Sequence, residues 1–286
     1  SFLFDSIFHS SLEMAPIRIG ILGNGHLGKF LHSELSSLPS DFTVIRVWNR
    51  SIVEGENVLP LEKLDEEHLS DIDLVVEVAH PLLVKKFAPL ILQYSDLFIG
   101  SPTCLADQEL LDAVKKLAVE KKRKVLVPAG AFWGGNDIQK MADKGTLKAL
   151  QVTMSKHPDS FRLKSPLKEI NEKAKEEKEK ETILYEGPVC ALCSLAPNNV
   201  NTMAGASIAA HNLGFDGVTA RLVADPKLRD WHIVRVMATG PDGFEVETIR
   251  KNPAKPGTVT GQLTYFSFLA SIKEGRSKPT GSLHIC

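Results

Sequence analysis

The stretch "IRIGILGNGHLGKFLHSEL" (17–35) limits the fold more than any other. An aliphatic run ends in three glycines, Gly23, Gly25 and Gly28, and Leu27, Phe30, Leu31 and Leu35 then recur on one face of a helix. Each glycine answers a different steric demand. Gly23 allows the tight turn out of the strand, Gly25 lets a pyrophosphate approach the backbone, and Gly28 lets the helix pack closely on the strand. Unpaired N–H groups at the helix start face the same phosphates. Gly23, Asn24, Gly25, His26, Leu27 and Gly28 are therefore expected to form a dinucleotide-phosphate loop.

The segments that follow extend this unit. "TVIRVW" (43–48), "DLVVEVA" (73–79), "DLFIG" (96–100) and "KVLVPAG" (124–130) read as strands, with helical patterns at 81–94 and 106–122 between them. Apolar strands separated by helices predict a Rossmann-type, doubly wound parallel sheet over residues 16–130. The second strand ends in Asn49-Arg50, where an NAD site usually offers a carboxylate to the ribose. Asn49 can bond a ribose hydroxyl or a phosphate oxygen, and Arg50 can pair with a 2′-phosphate. NADP is therefore expected to be accepted; the alternative is a solvated Arg50, with NAD held through Asn49. Ala79, His80 and Ser101 follow strand ends at the edge where the nicotinamide must lie, although His80 equally suits a helix cap.

After Gly130 the pattern changes. Alternating runs such as "LKALQVTMSK", "GVTARLVAD" and "WHIVRVMATG", with turn signals between them, predict an α+β domain over 131–257 with a mostly antiparallel sheet. Only "NTMAGASIAAH" (201–211) reads as strongly helical there. The charged run at 168–181 is expected to be a solvated helix or loop. An apolar helix over 258–275 is expected to return to the first domain, and residues 1–15 to form a tail.

Composition excludes several other classes. The formal net charge is −1, which gives no electrostatic case for a nucleic-acid or membrane partner. No apolar run reaches the ~18–20 residues of a membrane helix. The 4 cysteines are too few for a disulfide scaffold and suit a reduced, cytosolic setting. Cys190 and Cys193 form a lone CxxC without a second pair or a nearby histidine, so no metal site is expected.

With "VVEVAHP", "GSPTCLADQ", "PAGAFWGGNDI", "LYEGPV", "PNNVNTMA", "GFDGV" and "LVADPKLRDWHIV", the chain resembles the L-aspartate dehydrogenase family from about Ile17 onward, its animal members in particular. The resemblance implies a Rossmann domain joined to an α/β domain that supplies catalytic residues and a homodimer interface. It implies NAD(P)-dependent oxidation of L-aspartate to iminoaspartate, which water converts to oxaloacetate and ammonia. By position it makes His232 the catalytic histidine and Ala131 and Asn201 nicotinamide-side contacts. Between "ADP" and that histidine the chain is shorter than the microbial pattern, which carries an extra residue and an asparagine.

The chemistry accounts for a histidine: the amine must lose a proton before hydride can leave Cα, and imidazole is a base near neutrality. A substrate with two carboxylates also needs converging cations or donors. "SKHPDSFRLK" offers Lys156, His157, Arg162 and Lys164 on a loop after a strand, with His157 and Arg162 as first choices. Two other readings share these residues: a dehydrogenase for another amino acid, and a dinucleotide-binding regulatory protein without turnover.

Overall fold

Strand β1 (Ile17–Leu22) is buried from Ile19 to Leu22, as an aliphatic strand covered on both faces must be. It turns at Gly23 into α1 (His26–Ser36). There follow β2 (Phe42–Asn49), β3 (Leu59–Pro60), α2 (Glu66–Leu69), β4 (Leu74–Glu77), α3 (Pro81–Tyr94), β5 (Asp96–Ile99), α4 (Gln108–Lys121) and β6 (Lys124–Val127). All these strands are parallel, in the order β6-β5-β4-β1-β2-β3. The structure is a computed structural model that describes residues 15–52, 57–255, 257–259 and 261–286. Residues 1–14 of the expected tail lie outside the described residues.

The turn between β1 and α1 requires its glycines. A Cβ on Gly28 would lie 2.0 Å from the Gly23 carbonyl oxygen, and Gly23 itself has φ +121°. Only glycine lets α1 begin this close to the strand end.

The second half contains α5 (Gly135–Asp143), β7 (Ala149–Lys156), α6 (Leu167–Ala174), β8 (Thr182–Pro188), α7 (Val189–Leu195), α8 (Asn201–Ala209), α9 (Gly214–Gly217), β9 (Thr219–Ala224), β10 (Trp231–Thr239) and β11 (Glu245–Pro253). Its sheet runs β11-β10-β7-β9-β8, parallel between β7 and β9 and antiparallel at every other pairing. This is the mixed, mostly antiparallel sheet expected from the alternating runs.

Three details differ from the sequence reading. The second half is more helical, because α5, α6 and α7 are too short for their periodicity to stand out. In the charged run, α6 buries Leu167, Asn171 and Ala174, a narrow stripe hidden among charges. The Asn171 side-chain amide also donates to the Pro158 carbonyl, 3.0 Å away. The last helix, α10 (Gln262–Gly275), starts later than expected. The segment before it, including Thr258 and Val259, is loop that reaches the cleft between the sheets.

From α10 the chain enters β12 (Ser282–Ile285), which pairs parallel with β6 and makes the first sheet seven-stranded. "SLHI" is too short and too polar to read as a strand alone; the free edge of β6 provides its pairing. Phe268 and Ile272 of α10 pack with Leu31, Phe98 and Leu126 on one face of that sheet. The Lys124 ammonium closes the C-terminus of α10 by donating to the carbonyls of Gly275 and Arg276, at 3.2 and 3.1 Å. On the other face, Val84, Ile91, Val114 and Ala118 join a core that continues through Phe132 and Met154 into the second sheet.

Replacing Gly28 by alanine should push α1 off the Gly23 carbonyl. The expected cost is about 1–3 kcal/mol of stability with weaker dinucleotide binding. A urea midpoint and a dinucleotide titration check this; unchanged values would show that the loop does not need the close approach.

Candidate active site

The C-terminal ends of β4, β5 and β6 face the second sheet across a cleft of about 350 Å³. Register assembles its far wall. Val234 pairs with Met154 and His232 with Asn252, so all four side chains share one sheet face, and all line the cleft. Leu27, Ala79, Ser101 and Ala131 line the opposite wall.

That opposite wall is tied together by a carboxylate. Glu77, the last residue of β4, is fully buried. One of its oxygens accepts the N–H groups of Ala79 and His80, both at 2.8 Å, and the Ser101 hydroxyl at 3.1 Å. The other accepts the Ser101 N–H at 3.0 Å. The loops after β4 and β5 therefore hang on one side chain. Burial pushes the Glu77 carboxyl up to about 7, against the pull of those donors toward the charged form. The sequence reading passed over it; the available signal was a lone carboxylate inside an apolar strand, "LVVE".

At the glycine loop, Gly25 caps α1 without a side-chain bond, and nothing lies within 4 Å of where its Cβ would be. His26 is exposed at the start of α1. Asn49 accepts the Asn24 N–H at 3.4 Å and donates to the Ser51 carbonyl at 2.8 Å. Its amide thus pins the glycine loop to the tip of β2. Beside it, Arg50 is exposed and has no ion pair among the described residues.

Two histidines serve as caps. The Nδ1 of His80 accepts the Leu82 N–H at 3.2 Å and starts α3. The Nδ1 of His157 accepts the Asp159 N–H at 3.3 Å, and His157 does not line the cleft. The neighbouring lysine does. Lys156 is the last residue of β7 rather than a loop residue, is 3% exposed and donates to the Val259 carbonyl at 3.0 Å. No carboxylate meets its ammonium among the described residues, and burial lowers its pKa to about 8. Arg162 also lines the cleft. Its Nη1 donates to the carbonyls of Asp159 and Phe161, and it has no ion pair among the described residues.

His232 is 5% exposed, and its Nε2 is buried without a hydrogen-bond partner. Burial and the nearby Lys156 charge pull its pKa down to about 4, against a raising hydrogen bond with the Thr258 backbone. The ring is therefore neutral at physiological pH. A second cleft-lining atom, Oδ1 of Asn201, is likewise buried and unpaired. Buried polar atoms without partners are uncommon. Here two belong to residues that line one cleft, a proton acceptor and an acceptor suited to an amide N–H. The cleft thus combines a neutral base and two cations without counter-ions, with Leu27 of the glycine loop on its wall.

Comparison with known proteins agrees. Residues 137–275 match the family model described as the C-terminal domain of aspartate dehydrogenase, and residues 20–128 match the NAD-binding domain of homoserine dehydrogenase. An aspartate dehydrogenase domain-containing protein of Danio rerio is 46% identical, over 90% of this chain and 94% of its own length. The chain belongs to the aspartate dehydrogenase family. An L-aspartate dehydrogenase of Methanococcoides burtonii is 29% identical over 90% of the chain and 96% of its own. The crystal structure of the Thermotoga maritima aspartate dehydrogenase shares the fold, with TM-score 0.70, 24% identity and coverage of 92% of this chain and 97% of that one. Membership of this oxidoreductase family assigns the first domain to a nicotinamide dinucleotide.

The His232 environment has a pH consequence. Its pKa falls from 6.5 in the unfolded chain to about 4 in the fold. Only the unfolded chain takes up this proton between those values, so His232 makes the fold less stable as pH drops from 6.5 toward 4. The ring resonances, assigned through His232→Gln, should show no titration midpoint between roughly pH 5.5 and 7.5. A midpoint near that of a free imidazole would contradict the buried, neutral ring.

Proposed function

We propose that the protein catalyses NAD(P)-dependent oxidation of L-aspartate to iminoaspartate, with hydrolysis to oxaloacetate and ammonia, or the reverse amination. The observation that carries this reading is a neutral buried histidine sharing a cleft with two cations that lack counter-ions. A buried cation without a partner costs several kcal/mol, which an incoming carboxylate relieves. Lys156 would therefore hold one carboxylate of the substrate, and Arg162, exposed at the cleft, the other, with the ammonium toward Nε2 of His232.

The same carboxylates tune the base. Burial holds the His232 pKa down and the Lys156 charge adds to it; the carboxylates offset the second contribution, so the ring gains proton affinity when the ammonium arrives. His232 then takes the ammonium proton, and the freed nitrogen lone pair drives hydride from Cα. A bound nicotinamide supplies the acceptor for that hydride. Hydride loss leaves an iminium; His232 releases its proton to solvent and, neutral again, takes a proton from the water that adds to the iminium carbon and passes it to nitrogen, so that the carbinolamine collapses to oxaloacetate as ammonia leaves.

The remaining roles follow from where each group lies. The pyrophosphate would rest on Gly23, Gly25, Gly28 and the first N–H groups of α1. Asn201 would accept from the nicotinamide carboxamide, with Ala79, Ser101 and Ala131 against the ring. Arg50, solvent-facing and unpaired among the described residues, supports acceptance of NADP beside NAD. The exposed apolar face of Trp133, Ile249, Leu263 and Phe266 supports a homodimer. The free thiols suit a cytosolic enzyme.

Purified protein with L-aspartate and either dinucleotide should form reduced dinucleotide, with NAD and NADP within about tenfold of each other in kcat/KM. His232→Ala should lower kcat by ~100-fold or more, and Lys156→Met should act chiefly on KM for aspartate. Dinucleotide binding without aspartate-dependent reduction would overturn the reading.

A further inference from the structure

The wall at Gly130 and Ala131 belongs to the first sheet and His232 to the second, and one polar chain joins them. Gly130 turns the backbone with φ +62°. Its carbonyl accepts from Nη1 of Arg250 and from the Ser267 hydroxyl, each at 3.0 Å. The same guanidinium donates through Nε to Oδ1 of Asn252 at 2.7 Å. Asn252 in turn donates through Nδ2 to the backbone carbonyl of His232 at 3.3 Å.

Strand geometry sets this chain up. Arg250 and Asn252 are two apart on β11 and share a face, and Asn252 lies directly across the ladder from His232. Arg250 has no ion pair among the described residues; each of its hydrogen-bond acceptors is neutral. An arginine so placed acts through the fixed spacing of its planar donor fork rather than through charge pairing, and lysine cannot reproduce that spacing.

We propose that Arg250, acting with Asn252, is a positioning residue that sets the distance between the Gly130–Ala131 wall and the strand carrying His232. The proposal rests on the reading of that cleft as the hydride-transfer site. Proton and hydride acceptors must meet one carbon–nitrogen pair from two separate sheets. A shift of ~1 Å between such groups can cost ~100-fold in rate. Ser267 holds the same Gly130 carbonyl from α10, but its hydroxyl makes no hydrogen bond to the β10–β11 pair among the described residues, which makes it a control.

The test compares Arg250→Ala, Arg250→Lys and Ser267→Ala with the unmodified protein, measuring kcat, KM and dinucleotide affinity by fluorescence titration. Arg250→Ala should lower kcat at least ~tenfold while dinucleotide Kd stays within ~threefold. Arg250→Lys should recover only part of the rate, and Ser267→Ala should stay within ~threefold of the unmodified kcat. An unchanged kcat in Arg250→Ala, or a kcat loss matched by the loss of dinucleotide affinity, would overturn the proposal. Ring resonances of His232 in the dinucleotide-bound protein give a readout independent of turnover. If L-aspartate is not oxidised at all, the proposed reaction fails by itself. The positioning role then stands if Arg250→Ala shifts those resonances and falls if they stay unmoved.

Discussion

Lys156 is a buried cation whose one hydrogen bond among the described residues goes to a backbone carbonyl, beside a histidine that burial, helped by the Lys156 charge, keeps neutral. Neither condition is favourable on its own. Desolvating an ammonium without a counter-ion works against folding, and so does a histidine that gives up its proton early. The fold sustains both because they sit at the ends of adjacent central strands, β7 and β10, backed by a core continuous between the two sheets. On the proposed reading, a cleft that holds positive charge in reserve and a base in its neutral form suits a dianion carrying a protonated amine.

The opposite wall is held by different physics. Glu77 takes four hydrogen bonds from the loops after β4 and β5, so one side chain ties Ala79 and Ser101 together. The glycine loop is held by close approach at Gly28 and by the Asn49 side chain at the Asn24 N–H. The cleft thus has one wall set by backbone donors around an acid and another set by strand register. Arg250 and Asn252 bridge the two.

Much of this was legible in the sequence, for reasons that differ by element. The parallel sheet could be read because aliphatic strands and amphipathic helices each carry their own period, and because Gly23, Gly25 and Gly28 answer local steric demands. Asn201, Ala131 and His232 could be placed only through long ordered motifs shared with the family; nothing in their own neighbourhoods distinguishes a cleft atom from a core atom. Lys156 was noticed but passed over in favour of His157. Which of two adjacent residues faces the cleft depends on where β7 ends, and that boundary is set by pairing with β9 and β10. β12 depended on an edge more than a hundred residues away. The links from Arg250 to Gly130 and from Glu77 to Ser101 join distant segments, and such contacts leave no local pattern.

The most direct measurement follows the hydrogen itself. L-aspartate deuterated at Cα, mixed with the protein and oxidised dinucleotide, should give reduced dinucleotide carrying deuterium at nicotinamide C4, on one face only. Reduced dinucleotide without label, or label scrambled between both faces, would contradict hydride transfer across the cleft between Ala131 and His232.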